Sequence, residues 1–255
     1  MMDFSKFILE GHRGVQSLSP ENSLASFQKA MDLGVQWVEL DLLATKDGRI
    51  VIHHDFEIDG RMIYSLSIEE IKQFDVGTRT DPEFPEQQPA LNAKIPELAE
   101  LFEMGKNLFF NLEIKSHPNH PEYTPPLDFF AKKIVEVVRR YGVQNRVYYS
   151  SFDPAALLAI RNIEPRASIA LLYAKGLGDD WLMPLAKGCM DLKAQIVSPL
   201  HTLVNESVIE VFHRHGIKVI PWTVNEKDRF KELVEMGVDG MISDYPQRFL
   251  FSGIN

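Results

Sequence analysis

One cysteine, Cys189, is all this sequence contains, so no disulfide can close within the chain and nothing marks an oxidising compartment. A buried structural thiol is its ordinary reading, ahead of a reactive one. Long apolar runs are missing as well. The longest candidates, such as residues 167–173, have the length of a strand and fall far short of the roughly 18 residues of a membrane span. The first ten residues are too few to hold a charged region, an apolar core and a cleavage site, so no signal peptide is expected. Excess positive charge is absent too: the net charge is -9 and the pI about 5.4. That balance disfavours a broad attraction to nucleic acid or to an anionic membrane. It leaves room for a small anionic substrate wherever cations are concentrated locally. Together these absences lead us to expect a cytoplasmic protein with no nucleic-acid partner and no stable membrane anchoring. Homo-oligomerisation is left open.

Apolar residues make up 45% of the 255 residues and charged residues 25%, enough for a sizeable core and typical of a folded, water-soluble chain. Short apolar segments alternate with longer segments of helical period nearly from end to end, the pattern of βα units around a parallel sheet. Strands are expected at 7–11, 37–43, 108–114, 147–151, 168–173, 195–199, 218–223 and 240–243, and eight strands close a barrel. Helices are expected at 22–33, 131–141, 154–162, 205–215 and 226–236, several ending at a glycine (Gly34, Gly142, Gly216, Gly237) where a left-handed cap costs the backbone little. The expectation is therefore an α/β fold, a TIM (β/α)8 barrel forming one unit over 1–255. A small insertion at about 55–107 separates the second and third barrel strands. It holds helix candidates at 67–74 and from Pro96, and its Pro82, Pro85 and Pro89 argue for an extended exposed loop at 81–89. That loop either shapes a substrate mouth or merely decorates the surface.

Chemistry-bearing residues concentrate in the first half. Asp47-Gly48 is a hairpin signal, and a turn centred there pairs positions whose numbers sum to about 95, setting His54 opposite Asp41. Glu39 and Asp41, two apart on a strand, share a face, as do Glu113 and Lys115. Any one of these acids alone would ordinarily be a solvated or salt-bridged carboxylate. Three converging in a barrel repel one another, and a hard divalent cation with oxygen ligands, Mg²⁺ or Ca²⁺, relieves that repulsion. Catalytic residues of such barrels sit at the C-terminal ends of the strands, where Glu39, Asp41, Glu113 and His12 fall. His12 and His54 would reach the same mouth, and two imidazoles beside a metal-bound phosphodiester can act as a general acid and base. Arg13 suits a phosphate because its planar fork can bond two oxygens at once.

These residues and their surroundings resemble the glycerophosphodiester phosphodiesterase family. The likeness rests on His12-Arg13-Gly14, Pro20-Glu21-Asn22-Ser23 with Ala25 and Phe27, Glu39-Leu40-Asp41, Lys46-Asp47-Gly48, His54-Asp55 and Asn111-Leu112-Glu113-Ile114-Lys115. It continues through Ser150-Ser151-Phe152, Trp222-Thr223-Val224-Asn225, Gly237-Val238-Asp239-Gly240 and Ser243-Asp244-Tyr245-Pro246. The resemblance implies a TIM barrel, one divalent cation, and conversion of a small-molecule glycerophosphodiester to glycerol 3-phosphate and an alcohol. By matching position it implies that Glu39, Asp41 and Glu113 bind the metal, that His12 and His54 are the acid and base, and that Arg13 and Lys115 contact phosphate. Trp222 would wall the glycerol pocket, with an ordinary core role as the competing reading. Glu21 and Asn22 match a segment near the mouth, where Asn22 also suits the N-cap of the next helix. A departure follows His54-Asp55: this chain reads Phe56-Glu57-Ile58-Asp59-Gly60-Arg61 where the family carries a leucine and an Arg-Thr-Thr stretch, leaving Arg61 as the candidate for the family's arginine. Rival readings are a lysophospholipase D or related phospholipase on the same barrel, and a barrel that binds phosphate compounds without catalysis.

Overall fold

In the computed structural model, residue 2 and residues 4–174 and 180–250 are described, so both ends of the expected 1–255 unit lie outside the described residues. Eight parallel strands form a ring in which Ile8–Gly11 pairs with both Trp37–Ala44 and Gly240–Ser243. From Trp37–Ala44 the ladder runs through Phe109–Ile114, Val147–Ser151, Ile169–Tyr173 and Ile196–Pro199 to Lys218–Val219. The expected strand at 218–223 keeps only its first two residues in the ladder, because Pro221 has no N–H to donate. The ring closes there through single backbone bonds: Asp239 N donates to Val219 O and Ile242 N to Pro221 O, each at 2.9 Å, and Val224 N donates to Ile242 O at 2.9 Å. The fold is a TIM barrel.

Alternation along each strand divides the apolar residues into two populations. Val38, Leu40, Leu42, Phe110, Leu112, Tyr149 and Leu171 face outward and pack under the helices. Ile8, Trp37, Tyr148, Ala170, Ile196, Ile220 and Ile242 point inward and plug the barrel, with Phe109 stacked on Trp37 at 4.7 Å. One inward step further along the strands the residues become Glu10, Glu39, Asn111, Ser150 and Ser198, so the apolar plug carries a polar layer. This switch of character within one face makes one end of the barrel a site.

The helices form where the spacing placed them, with differences at the ends. Leu24–Leu33 is capped by Ser23, which accepts from Ser26 N, and stops at Gly34 (φ 79°). Leu127–Arg140 starts four residues before the expected 131, with Asp128 in its first turn and Arg139 and Arg140 in its last, each sign favourable to the helix dipole. Pro154–Ile163 begins with Pro154 behind an Asp153 cap, and Asn205 caps Glu206–Arg214. Lys227–Met236 stops at Gly237. A further helix, Leu182–Leu192, contains Pro184 and ends at Lys193 in the left-handed region (φ 53°), so it lacks the terminal glycine that marks several of the others.

The insertion lies between the second and third barrel strands. It comprises a short hairpin (Glu57–Ile58 with Arg61–Met62), one helical turn Ile68–Ile71 under a Ser67/Glu70 capping box, and the helix Leu98–Met104. The expected helix at 67–74 is cut to that single turn. Ile63, Leu66, Ile71 and Ile95 bury against Leu43 and Val51, so the insertion has its own small core on the flank of the second strand. The loop at 81–89 braces a neighbouring loop: Gln87 Nε2 donates to Gln16 O at 2.6 Å and Gln88 N to Leu18 O at 3.0 Å.

Candidate active site

The loop after the first strand is wound tightly. A Cβ on Gly11 would lie 2.0 Å from Gly14 O, and one on Gly14 (φ 89°) would lie 2.4 Å from Ser26 Oγ. Arg13 and Asn22 both take left-handed backbone (φ 50° and 54°), a conformation that costs of order 1–3 kcal/mol and persists where surrounding bonds fix it. Those bonds are present: Ser26 Oγ and Asn22 N donate to Arg13 O, and Arg13 N donates to Glu39 Oε2 at 3.0 Å. The N-cap of the following helix is Ser23 and not Asn22. With its backbone reversed, Asn22 turns its amide to Asp41, donating to Oδ2 at 2.8 Å and accepting from Asp41 N at 3.3 Å.

The hairpin register also differs from expectation. Leu42 pairs with Ile52, Leu43 with Val51 and Ala44 with Ile50, so Asp41 lies opposite His53, whose N donates to Asp41 O at 3.0 Å. The cause is a three-residue loop, Lys46 to Gly48, closed by Thr45 N donating to Arg49 O, with Gly48 at φ 75°. Such a loop shifts the pairing by one from a two-residue turn. His54 nevertheless reaches the site, because the strand ends at Ile52 and alternation no longer dictates its direction.

His12, Arg13, Glu39, His54, Glu113 and Lys115 line one cavity, and Phe152, Leu172, Trp222 and Ile242 supply its apolar wall. Asp41 stands at its edge, bound to Arg13 Nε and Lys115 Nζ at 3.3 Å each, while Lys115 also meets Glu113 Oε1 at 3.2 Å. Arg13 Nη1 pairs with Glu21. Trp222 donates from Nε1 to Ser198 O at 2.9 Å and meets Phe152 edge-to-face at 5.4 Å, so it is anchored on one side and open to the cavity on the other. Arg61 pairs with Glu70 on the surface at 2.7 Å and is not among the lining residues.

Glu39, Asp41 and Glu113 each offer an oxygen within 4.8 Å of the others. Burial first, then the charges of Asp41 and Glu113, push Glu39 well above the usual carboxylate range. Burial and Asp41 likewise raise Glu113 against the pull of Lys115. Burial would raise Asp41 too, but Lys115 and Arg13 outweigh it and hold that carboxyl well below its ordinary value. Glu39 Oε1 is buried with no hydrogen-bond partner among the described residues, a costly state for a carboxylate oxygen. An all-oxygen set that is short of positive charge fits a hard divalent cation.

The two histidines are each held at Nδ1. His12 Nδ1 meets Asp244 Oδ1 at 2.6 Å, and Asp244 Oδ2 accepts from Asn225 Nδ2 at 2.6 Å. Gln16 Nε2 donates to the same Asp244 Oδ1 and lies 2.8 Å from His12 Nδ1. A carboxylate only accepts, so the network assigns the Nδ1 proton to His12. That leaves the ring's lone pair on Nε2, 3.8 Å from Glu39 Oε2. Burial would raise Asp244, but the bonds from His12, Gln16 and Asn225 hold it below the usual range. His54 Nδ1 meets Asp55 Oδ1 at 2.7 Å in a more exposed setting.

This arrangement of acids, cations and imidazoles accompanies a match of residues 12–248 to the glycerophosphoryl diester phosphodiesterase family. The chain belongs to that family. A glycerophosphodiester phosphodiesterase from Caldanaerobacter subterraneus subsp. tengcongensis is 31% identical over 96% of this chain and 97% of its own. A solved structure from Silicibacter pomeroyi superposes with a TM-score of 0.87 at 26% identity, covering 97% of this chain and 93% of that one. An Oleispira antarctica phosphodiesterase, solved in complex with the product sn-glycerol-3-phosphate, has a TM-score of 0.80 at 25% identity and 94% coverage of both chains. Within this phosphodiesterase fold, three residues escape a reading of local sequence: Asp244, Gln16 and Asn225 around His12. Asp244 lies 232 positions from His12, and although it falls in a segment that resembles the family's, nothing local assigns it to that histidine.

Proposed function

We propose that this chain hydrolyses glycerophosphodiesters to glycerol 3-phosphate and an alcohol. Glu39, Asp41 and Glu113 would hold one divalent cation, Mg²⁺ or Ca²⁺. The observation that carries the reading is the unpartnered Glu39 oxygen within a triad of acids, in a cavity that two imidazoles share. When bound, the cation supplies Lewis-acid polarisation of the phosphoryl oxygens. Arg13 and Lys115, already fixed beside the acids, orient the phosphate and share its developing negative charge. One histidine Nε2 takes the proton of the attacking oxygen as the new P–O bond forms, that oxygen being either water's or the neighbouring glycerol hydroxyl's, in which case water then opens the cyclic phosphate. The other gives its proton to the departing alkoxide, a poor leaving group unless protonated. The Nδ1 bonds to Asp244 and Asp55 keep both Nε2 atoms turned to the cavity. Trp222 and Phe152 offer an apolar surface to the carbon face of glycerol.

The substrate is a small soluble diester met in the cytoplasm. Among the described residues no helix is long and apolar enough to cross a membrane. Incubation with glycerophosphocholine and Mg²⁺ or Ca²⁺, with and without chelator, tests the reading. Glycerol 3-phosphate should appear only with the cation, and a parallel arm with a lysophospholipid should release little. Faster release from the lysophospholipid would favour the lysophospholipase D reading, and no turnover of either would favour a binding protein.

A further inference from the structure

Glu10 takes no part in the steps above, yet it is a carboxyl wholly buried inside the barrel. It accepts from Tyr148 Oη at 2.5 Å and from Asn111 Nδ2 at 2.9 Å. Asn111 Oδ1 accepts in turn from Ser150 Oγ at 2.6 Å. Glu10 pairs in register with Trp37, one inward step before Glu39, while Asn111 pairs with Glu39 and Ser150 with Glu113. The chain of bonds therefore runs beside two of the three acids, and Asn111 and Ser150 share the cavity lining with them.

The direction of these bonds has a chemical consequence. With its NH₂ turned to Glu10, Asn111 leaves its carbonyl to Ser150, whose hydroxyl hydrogen is thereby engaged. Protonation of Glu10 does not reverse this, since one oxygen still accepts from Asn111 while the other shares a proton with Tyr148. Neither Asn111 nor Ser150 donates to Glu39 or Glu113. Glu39 Oε1 has no partner among the described residues, and Lys115 is the partner of Glu113.

We propose that Glu10 is a positioning residue that draws the hydrogen-bond donors of the cavity floor away from the acidic triad, leaving carboxylate oxygens free for a divalent cation. This rests on reading the triad as the cation site. Without an acceptor at position 10, the Asn111 amide is free to turn and donate to Glu39, in competition with the cation.

The test is calorimetric titration of chelator-stripped protein with Mg²⁺ and with Ca²⁺, comparing wild type with E10Q, E10M and E10L. A glutamine carbonyl still accepts from Asn111, so E10Q should bind within about threefold of wild type, whereas E10M and E10L should bind roughly 10- to 100-fold more weakly. Wild-type affinity in E10M or E10L would overturn the proposal. So would a loss in E10Q as large as theirs, since charge and not the acceptor would then be at work; E10Q alone can thus refute it should the apolar variants fail to fold. A wild type that binds neither cation overturns the triad reading and this inference together, whereas wild-type binding with an unaffected E10M overturns this inference alone.

Discussion

Replacing Asp244 by Asn exchanges one oxygen for an NH₂ at nearly constant volume, and neither orientation of the new amide satisfies the site. If the NH₂ faces His12, Nδ1 must become an acceptor; the ring proton then moves to Nε2 and the neutral imidazole is no longer a base toward the cavity. If the NH₂ faces Asn225, two donors meet, since Asn225 Nδ2 now donates to Asp244 Oδ2 at 2.6 Å. Turning Asn225 would relieve that clash, but its Oδ1 accepts from Asp244 N at 3.0 Å. The charged hydrogen bond to His12 contributes about 1.5–3 kcal/mol, roughly 10- to 150-fold in rate. The wrong tautomer adds to this, up to the whole acid–base contribution of about 10²–10⁴. We expect D244N to lower kcat by about 100-fold or more. KM and cation affinity should change little, because Asp244 touches none of the three acids. Steady-state kinetics with glycerophosphocholine and calorimetry with Mg²⁺ separate these quantities. A kcat close to that of wild type, or a defect confined to cation binding, would refute the reasoning.

H12A and H54A should each lower turnover by about 10²–10⁴ with the circular dichroism of the barrel unchanged; full activity in either would show that the acid and base lie elsewhere. N22A should destabilise the fold by about 2 kcal/mol, since it keeps a left-handed backbone and loses the amide that holds Asp41; urea denaturation indistinguishable from wild type would contradict this. Burial pushes Glu10 up to about 7 from an ordinary 4.5, against the bonds from Tyr148 and Asn111. The folded state therefore binds this proton more tightly than the unfolded chain, so stability is fully present below pH 4.5 and falls as pH rises through about 7. E10Q removes that loss and should gain on wild type between pH 5 and 8, by up to about 3 kcal/mol. Parallel stability curves for the two proteins over that range would count against it.

Most of the fold was legible because apolar alternation and glycine caps are local signals. The eight strands, and helices such as Leu24–Leu33 and Lys227–Met236, lie where the spacing places them. What escaped depends on chain reversals or on distance. The hairpin after Ala44 lies one position from the expected register because Asp47-Gly48 fits a two-residue and a three-residue loop equally well in sequence, and only the Thr45 to Arg49 bond decides. Asn22 has the side chain of a cap, but its positive φ, which nothing local dictates, turns it to Asp41. Helix Leu182–Leu192 ends on Lys193 and so carries no glycine signal. The cavity brings together His12, Arg13, Glu39, His54, Glu113, Lys115 and Trp222, with Asp41 paired to Lys115 beside it, because strand ends are readable. The support for His12 was not, since Asp244 becomes its neighbour only when the barrel closes.

The most direct test of the central claim is calorimetric titration of chelator-stripped protein with Mg²⁺ and Ca²⁺, comparing wild type with E39A, D41A and E113A. The account predicts one cation per wild-type chain and a large loss of affinity in each variant. Wild-type affinity in E113A, or a wild-type chain that takes up no cation, would contradict it.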